Sequence, residues 1–199
     1  WVEALKITDN HITHVGSNAE VKKACSLNTE MLDLPGRLVT PGLVDAHCHF
    51  LSLGRSFQMV NLRHASSLVE IRERIQKAVV SRGPSQWIIG RGWNHYQWAE
   101  QREPTRKDLD DIIPNNPAMM VRACGHSIWV NTAALDRACV TRETPNPDGG
   151  QIDKDPDSGE PTGLLREAQD IIEAHIPSPT LEDRKQMVLA AQEDALRSG

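Results

Sequence analysis

The chain has 199 residues, 39% of them hydrophobic and 25% charged, with a net charge of −5. That is the balance of a globular protein of one domain, or one plus a small appendage. The negative charge excludes a non-specific nucleic-acid binder, which needs a basic footprint, and no apolar run approaches the ~20 residues of a membrane span. Cys25, Cys48, Cys124 and Cys139 show neither C-x-x-C nor framework spacing. We therefore expect a reducing, cytoplasmic compartment without disulfides. The chain begins at Trp1 and ends at Gly199, directly after a predicted helix; a segment of a longer protein is the expectation.

Residues 2–7 alternate as a strand, Asp9-Asn10-His11 is turn chemistry, and residues 12–15 return as a second strand, which together make a β-hairpin. Residues 20–24 suit a short helix. Residues 30–34 and 38–40 read as short strands about a Pro35-Gly36 turn. Residues 1–40 are thus expected to be small all-β structure, with a boundary at Pro41-Gly42 and a second domain over 41–199. Leu43, Val44 and Ala46 then form the apolar body of a predicted buried strand.

Beyond that point helices and strands alternate. Ser67, with Glu70 three residues on, caps a predicted helix over 68–81, whose apolar face is Leu68, Ile71, Ile75 and Val79. Residues 87–90 read as a buried strand. Thr105 caps a short helix to residue 113, and residues 118–123 form a third apolar strand. Residues 131–138 read as helix, 144–162 as turn-rich chain, and 164–175 as helix again. Thr180, with Asp183 at the third helical position, starts a last helix to about residue 197. This alternation argues for a parallel α/β sheet. A closed eight-unit barrel needs ~250 residues, so a barrel would be present only in its opening part.

Four constellations could carry chemistry. His47 and His49 lie two apart, so on an extended chain both imidazoles point to one face. Two imidazoles converging at a strand's carboxyl end are a common start for a divalent-metal site. Asp45, two residues before His47, would support them from behind or cap the turn. Glu167 follows a turn. It is either a solvated glutamate in a helix's first turn or the carboxylate that a binuclear site needs to bridge its cations. His126, after an apolar strand and a glycine, either binds substrate and polarises a carbonyl or is a buried, hydrogen-bonded histidine. Trp93, with Trp98 five residues on, either walls a substrate pocket or packs a long loop. His95 and the remaining histidines are assigned no role.

The run Pro41-Gly42-Leu43-Val44-Asp45-Ala46-His47-Cys48-His49 resembles the first-strand signature of the amidohydrolase superfamily of metal-dependent hydrolases. Three later stretches resemble its amidohydrolase-3 (YtcJ-like) branch: Gly92-Trp93-Asn94 with Trp98; Pro104-Thr105-Arg106 with Leu109-Asp110; and Gly125-His126-Ser127 with Asn131-Thr132-Ala133-Ala134-Leu135. A fifth is Ser158-Gly159-Glu160-Pro161-Thr162-Gly163-Leu164-Leu165-Arg166-Glu167. Asn94 and Thr132 depart from the branch, which often has Asp and Ser there.

The resemblance implies the opening portion of a distorted (β/α)8 barrel, preceded by part of a small β-sandwich over residues 1–40. It implies one or two divalent cations, usually zinc, with His47 and His49 as ligands. Glu167 matches a bridging carboxylate where relatives use a carboxylated lysine. The remaining ligand histidines and the catalytic aspartate are expected beyond Gly199.

The expected activity is hydrolysis of a non-peptide carbon–nitrogen bond, an amide, by metal-activated water. A small-molecule amide is the expected partner, with neither nucleic acid nor membrane, and a homodimer is the candidate assembly. A mononuclear deaminase of the same superfamily and a catalytically inactive metal-binding fragment are the alternatives. The 199 residues alone are expected to be inactive, since a partial barrel exposes strand edges and an incomplete ligand set.

Overall fold

The computed structural model describes residues 1–80 and 82–198. The chain divides into two compact units, Trp1–Val44 and Asp45–Gly199.

In the first unit β1 (Ala4–Thr8) and β2 (His11–Gly16) pair antiparallel. Asp9 and Asn10 close the hairpin at φ 49° and 63°. A two-residue turn of this hand needs two left-handed residues, and Asp and Asn are side chains that tolerate it. Ser17 caps α1 (Asn18–Lys23): its hydroxyl accepts from the Glu20 N–H at 3.3 Å, and the Glu20 carboxylate accepts from the Ser17 N–H at 2.9 Å.

The strands expected at 30–34 and 38–40 do not form. Met31, Leu32, Leu38 and Val39 are exposed in chain without helix or strand. Their alternation is strand-like, but a strand needs a neighbour for its N–H and C=O groups, and no described strand pairs with them. The strand expected over Leu43–Ala46 is absent for the same reason.

The second unit contains, in order, α2 (Phe50–Ser56), β3 (Val60–Asn61), α3 (Leu68–Val79), β4 (Ile88–Trp93), a 3-10 turn (His95–Gln97), α4 (Arg106–Asp110), β5 (Ala118–Arg122), β6 (Ser127–Val130), α5 (Thr132–Arg137), β7 (Gln151–Lys154), β8 (Pro161–Arg166), α6 (Asp170–Glu173) and α7 (Leu181–Ser198). Ser67 caps α3 as expected, accepting from the Glu70 N–H, although Glu70 reaches back to Ser66 rather than to Ser67. The predicted end of this helix, Ser81, lies outside the described residues. Thr180 and Asp183 exchange hydrogen bonds at the start of α7.

One sheet runs β3-β4-β5-β6-β8-β7. The pairs β3–β4 and β4–β5 are parallel, and the other three pairs are antiparallel. The expected all-parallel pattern therefore holds for half of the sheet. The reason is loop length: only residues 123–126 join β5 to β6, too few for the crossover that a parallel pair requires.

The helix expected over 164–175 is also corrected. Leu164 and Leu165 bury on opposite faces of the sheet, Leu164 with Trp93 and Trp129 and Leu165 with Met119 and Ile128. The helix shrinks to α6. A short apolar run fits either period, and the pairing with β6 and β7 decides it.

Apolar layers cover both faces. On one, Leu68, Ile71 and Ile75 of α3 pack with Trp98, Leu109, Met120 and Trp129; on the other, Ala134 and Leu135 of α5 pack with Met119, Ile128 and Ile172. Gly92 matters to this division. It sits at φ +106° where the β4–β5 register slips between Arg91 and Trp93. Without that bulge Trp93 would share the face of Ile89; with it, the indole turns to the α3 face.

Candidate active-site rim

β8 runs antiparallel to β6, which runs antiparallel to β5. One rim of the sheet therefore collects the carboxyl ends of β4, β5 and β8 and the amino end of β6. Trp93, His95, Arg122, His126 and Glu167 all lie on it, and carboxyl ends of parallel strands are where α/β sheets place their chemistry.

The central contact is His126 with Glu167. The Nδ1 of His126 lies 2.9 Å from Oε1 of Glu167, and the Glu167 N–H donates to the His126 carbonyl at 2.9 Å. A carboxylate only accepts, so Nδ1 carries the proton and Nε2 is left free. Glu167 is not in a helix. It stands just past β8 at φ 48°, a left-handed conformation that costs a non-glycine side chain energy and is concentrated at functional sites. Both side chains are more than half exposed, so the pair contributes little to stability and fixes instead the tautomer and direction of the imidazole. Sequence reasoning singled out both residues, but for separate tasks.

Trp93 is 1% exposed and belongs to the core. Its indole N–H donates to the Met120 carbonyl at 2.7 Å, and its ring lies 5.9 Å from Trp98 and 6.2 Å from Trp129, the spacing at which aromatic pairs attract. Asn94, a departure from the related pattern, accepts from the Tyr96 N–H and starts the 3-10 turn. That turn buries His95 against Tyr96 at 4.1 Å between ring centroids. Burial, and then the charge of Arg122, hold His95 below its ordinary 6.5. The guanidinium of Arg122 lies over Trp93 at 5.6 Å and Tyr96 at 5.4 Å.

Neither His95 nor Arg122 was singled out by the sequence. The available signal was position, since each ends or follows an apolar strand run at the carboxyl side.

His47 and His49 occupy exposed, irregular chain ahead of α2, with ring centroids 5.5 Å apart. Asp45 accepts from the backbone N–H of His47 at 3.0 Å, a turn contact rather than support for an imidazole. Two imidazoles sharing one tetrahedral zinc at Zn–N of about 2.1 Å would have centroids roughly 5 Å apart, close to the spacing of this pair. Among the described residues, however, no group of three or more His, Cys, Asp or Glu converges on a metal position. The structure brings Glu167 to His126, and does not gather it with His47 and His49 into one ligand set.

The opposite end of the β5–β6 hairpin is closed. Asn131 has 0% exposure. Its Oδ1 accepts from the N–H groups of Ala118 and Ala134, and its Nδ2 donates to the carbonyls of Ile113 and Asn116, all within 3.0 Å. Asp110 accepts from the Thr132 N–H and hydroxyl. Asp108 joins a capping box with Thr105 and pairs with Arg102. Burial pushes the Asp108 carboxyl up, but the hydrogen bonds from Arg102 and Thr105 outweigh it and hold the group below 3.8. A cleft of about 360 Å³ is lined by Glu103, Thr105, Gln151, Asp153, Lys154 and Thr162, but its carboxylates are committed to Arg166.

A model of the Amidohydrolase family, in its amidohydrolase-3 branch, matches residues 30–199. The putative amidohydrolase YtcJ of Bacillus subtilis (strain 168) is 36% identical over 199 residues, covering 99% of this chain and 37% of that protein. The N-substituted formamide deformylase of Arthrobacter pascens is 36% identical over 168 residues, covering 83% and 31%. In three dimensions the chain is similar to an uncharacterized metal-dependent hydrolase from Pyrococcus furiosus, with a TM-score of 0.68 and 30% identity over 98% of this chain and 38% of that one. The chain spans about a third of the length of these curated relatives, at 37% and 31%. Its mixed α/β fold is similar to that of these metal-dependent hydrolase structures, and with the family model covering most of its length the chain belongs to the amidohydrolase family.

Proposed function

We propose that the whole protein hydrolyses a non-peptide carbon–nitrogen bond, an amide, and that this chain supplies the His126–Glu167 pair and the His47/His49 pair to the site. The observation that carries the reading is the 2.9 Å contact between His126 Nδ1 and Glu167 on the sheet's open rim. The family and the similarity to metal-dependent hydrolases support it.

Glu167 holds the imidazole by its Nδ1–H, so every exchange with substrate runs through Nε2. Carrying a proton, Nε2 donates to the amide carbonyl oxygen as charge builds there; without one, it accepts a proton from water. A water oxygen–carbon bond forms, the carbon–nitrogen bond breaks, and the proton ends on the leaving amine. His47 and His49 would hold a divalent cation, zinc in this reading, which when bound supplies Lewis acidity and a water acidic near neutral pH.

Glu167 thereby takes the role of orienting His126, in place of bridging two metals. The larger frame of the proposal is the opening part of a (β/α)8 barrel preceded by part of a β-sandwich, in a cytoplasmic protein acting on a small amide.

The test is turnover by the whole protein, loaded with zinc, on a panel of N-substituted formamides, acetamides and cyclic amides. Release of a carboxylate and an amine in a 1:1 ratio, lost in His126→Ala, is the expected result. Release of ammonia from an amino-heterocycle would point to a deaminase instead, and metal binding without turnover of any amide would overturn the proposal.

A further inference from the structure

The His126–Glu167 contact lies in solvent, with both side chains more than half exposed. An exposed pair does not hold its own geometry against water. Glu167 nevertheless stands at φ 48°, which costs a non-glycine residue energy. Its conformation must therefore be held from the chain around it, and the residue before it is built for that.

Arg166 closes β8. Its backbone is in register with Ser127 of β6 on one side and Gln151 of β7 on the other. Its guanidinium is gripped as well. The Nη2 donates to Glu103 at 2.7 Å and to Asp153 Oδ2 at 2.8 Å, and the Nε donates to the same Asp153 oxygen at 3.1 Å. Two edges of one planar fork thus meet one carboxylate, a geometry that fixes direction as well as distance. The Asp153 side chain is only 16% exposed, so this grip is sheltered where the His126 contact is not.

Glu167 is also confined beyond the strand. Its N–H donates to the His126 carbonyl at 2.9 Å. A Cβ added to Gly150 would lie 2.5 Å from the Glu167 carbonyl oxygen, so the start of the β7 segment runs against Glu167 with no room for a side chain.

We propose that Arg166 is a positioning residue for the reaction. Anchored by Glu103 and Asp153, it ends β8 in the geometry from which Glu167 reaches Nδ1 of His126, and so leaves Nε2 of that ring free for the substrate. Glu103 ahead of α4 and Asp153 in β7 act on His126 through this guanidinium.

This inference rests on the hydrolase reading for its effect on rate, but not for the geometry, and the experiment separates the two. The whole protein, loaded with zinc, is prepared with 15N-labelled histidine, and His126→Gln identifies the His126 signals. A carboxylate on Nδ1 selects the Nδ1–H form of the neutral ring, and a ring that loses it divides between two tautomers. Arg166→Met should lower the ratio of Nδ1–H to Nε2–H by about 3- to 10-fold, the worth of one hydrogen bond. Arg166→Lys, which keeps the charge without the fork, should restore part of it. Glu103→Gln removes one arm of the grip and should shift the ratio in the same direction by less; it decides the matter if Arg166→Met fails to fold. On an amide that the wild type turns over, kcat should fall with the ratio while KM changes little.

Asn131→Ala, a destabilising change at the other end of the hairpin, should leave the ratio as it is. A shifted ratio in a protein that turns over no amide supports the positioning role, and the hydrolase reading then falls alone. An unchanged ratio in Arg166→Met and Glu103→Gln overturns the proposal. So does an equal shift in Asn131→Ala, or a shift that leaves kcat of an active enzyme untouched.

Discussion

The two ends of the β5–β6 hairpin both gather polar side chains and treat them in opposite ways. At one end Asn131, Asp110 and Asp108 have their hydrogen-bonding capacity spent on backbone and on neighbouring side chains. At the other, among the described residues, His126 keeps one ring nitrogen free, the Arg122 guanidinium has no carboxylate, and His95 has an orphaned nitrogen. Both ends carry motifs by which the chain resembles its family. Saturation separates the residues that hold the fold from those available to a ligand.

The comparison is broken or sharpened first at the closed end. Asn131→Ala orphans the Ala118 N–H and the Ile113 and Asn116 carbonyls at once, while the Ala134 N–H keeps the Asn131 backbone carbonyl; at ~1–3 kcal/mol for each unpaired group, with some relaxation, we expect a loss of about 3–5 kcal/mol in denaturant unfolding. Gly163→Ala should follow. At φ +99° its new Cβ would lie 2.5 Å from the Val130 carbonyl oxygen and 2.8 Å from the Arg106 nitrogen, a cost of about 2–3 kcal/mol. Asp108→Asn removes the charge from a largely buried carboxylate whose partner Arg102 is half exposed, and should cost about 1–2 kcal/mol.

The same carboxylate sets an acid limit. Its folded pKa lies below 3.8, so the unfolded chain binds the proton first, and stability present above that value is lost as pH falls through it.

The open end should respond in pH rather than in stability at neutrality. His95 is held below 6.5 by burial and by Arg122, with Glu103 opposing and Arg166 adding. Unfolding therefore takes up a proton below 6.5, and stability declines as pH drops from there. His95→Gln should remove this upper part of the acid slope and leave the lower, aspartate part. Least of all, Glu167→Gln should change stability by no more than about 0.5 kcal/mol. A larger loss would move Glu167 to the structural side of the comparison.

What the sequence made legible follows the same division. Local chemistry was readable: the Asp9-Asn10 turn, the Ser67 and Thr105 caps, the Thr180–Asp183 start of the last helix, and the apolar face of α3. These depend on contacts within a few residues. Partner choice was not readable. Residues 30–40 alternate like strands and find no neighbour, while Leu164-Leu165 looks helical and is claimed by β6 and β7.

The rim was half legible. His126 and Glu167 were both marked, but their contact depends on the antiparallel β6–β8 pairing, and β6 itself is too short to announce itself. Arg122 was hidden because an arginine ending an apolar strand usually just reaches solvent; its lack of a partner is a tertiary fact. Trp93 was read as pocket wall or packing, and only the bulge at Gly92 sends it into the core.

The central claim is that the open rim works through His126 held by Glu167. The measurement closest to it is kcat/KM for amide hydrolysis by His126→Gln in the whole, metal-loaded protein, taken on the same sample as its unfolding midpoint. The account predicts a fall of about 10²-fold or more with the midpoint unchanged. Turnover that survives the substitution, or that falls only as far as the protein unfolds, would contradict it.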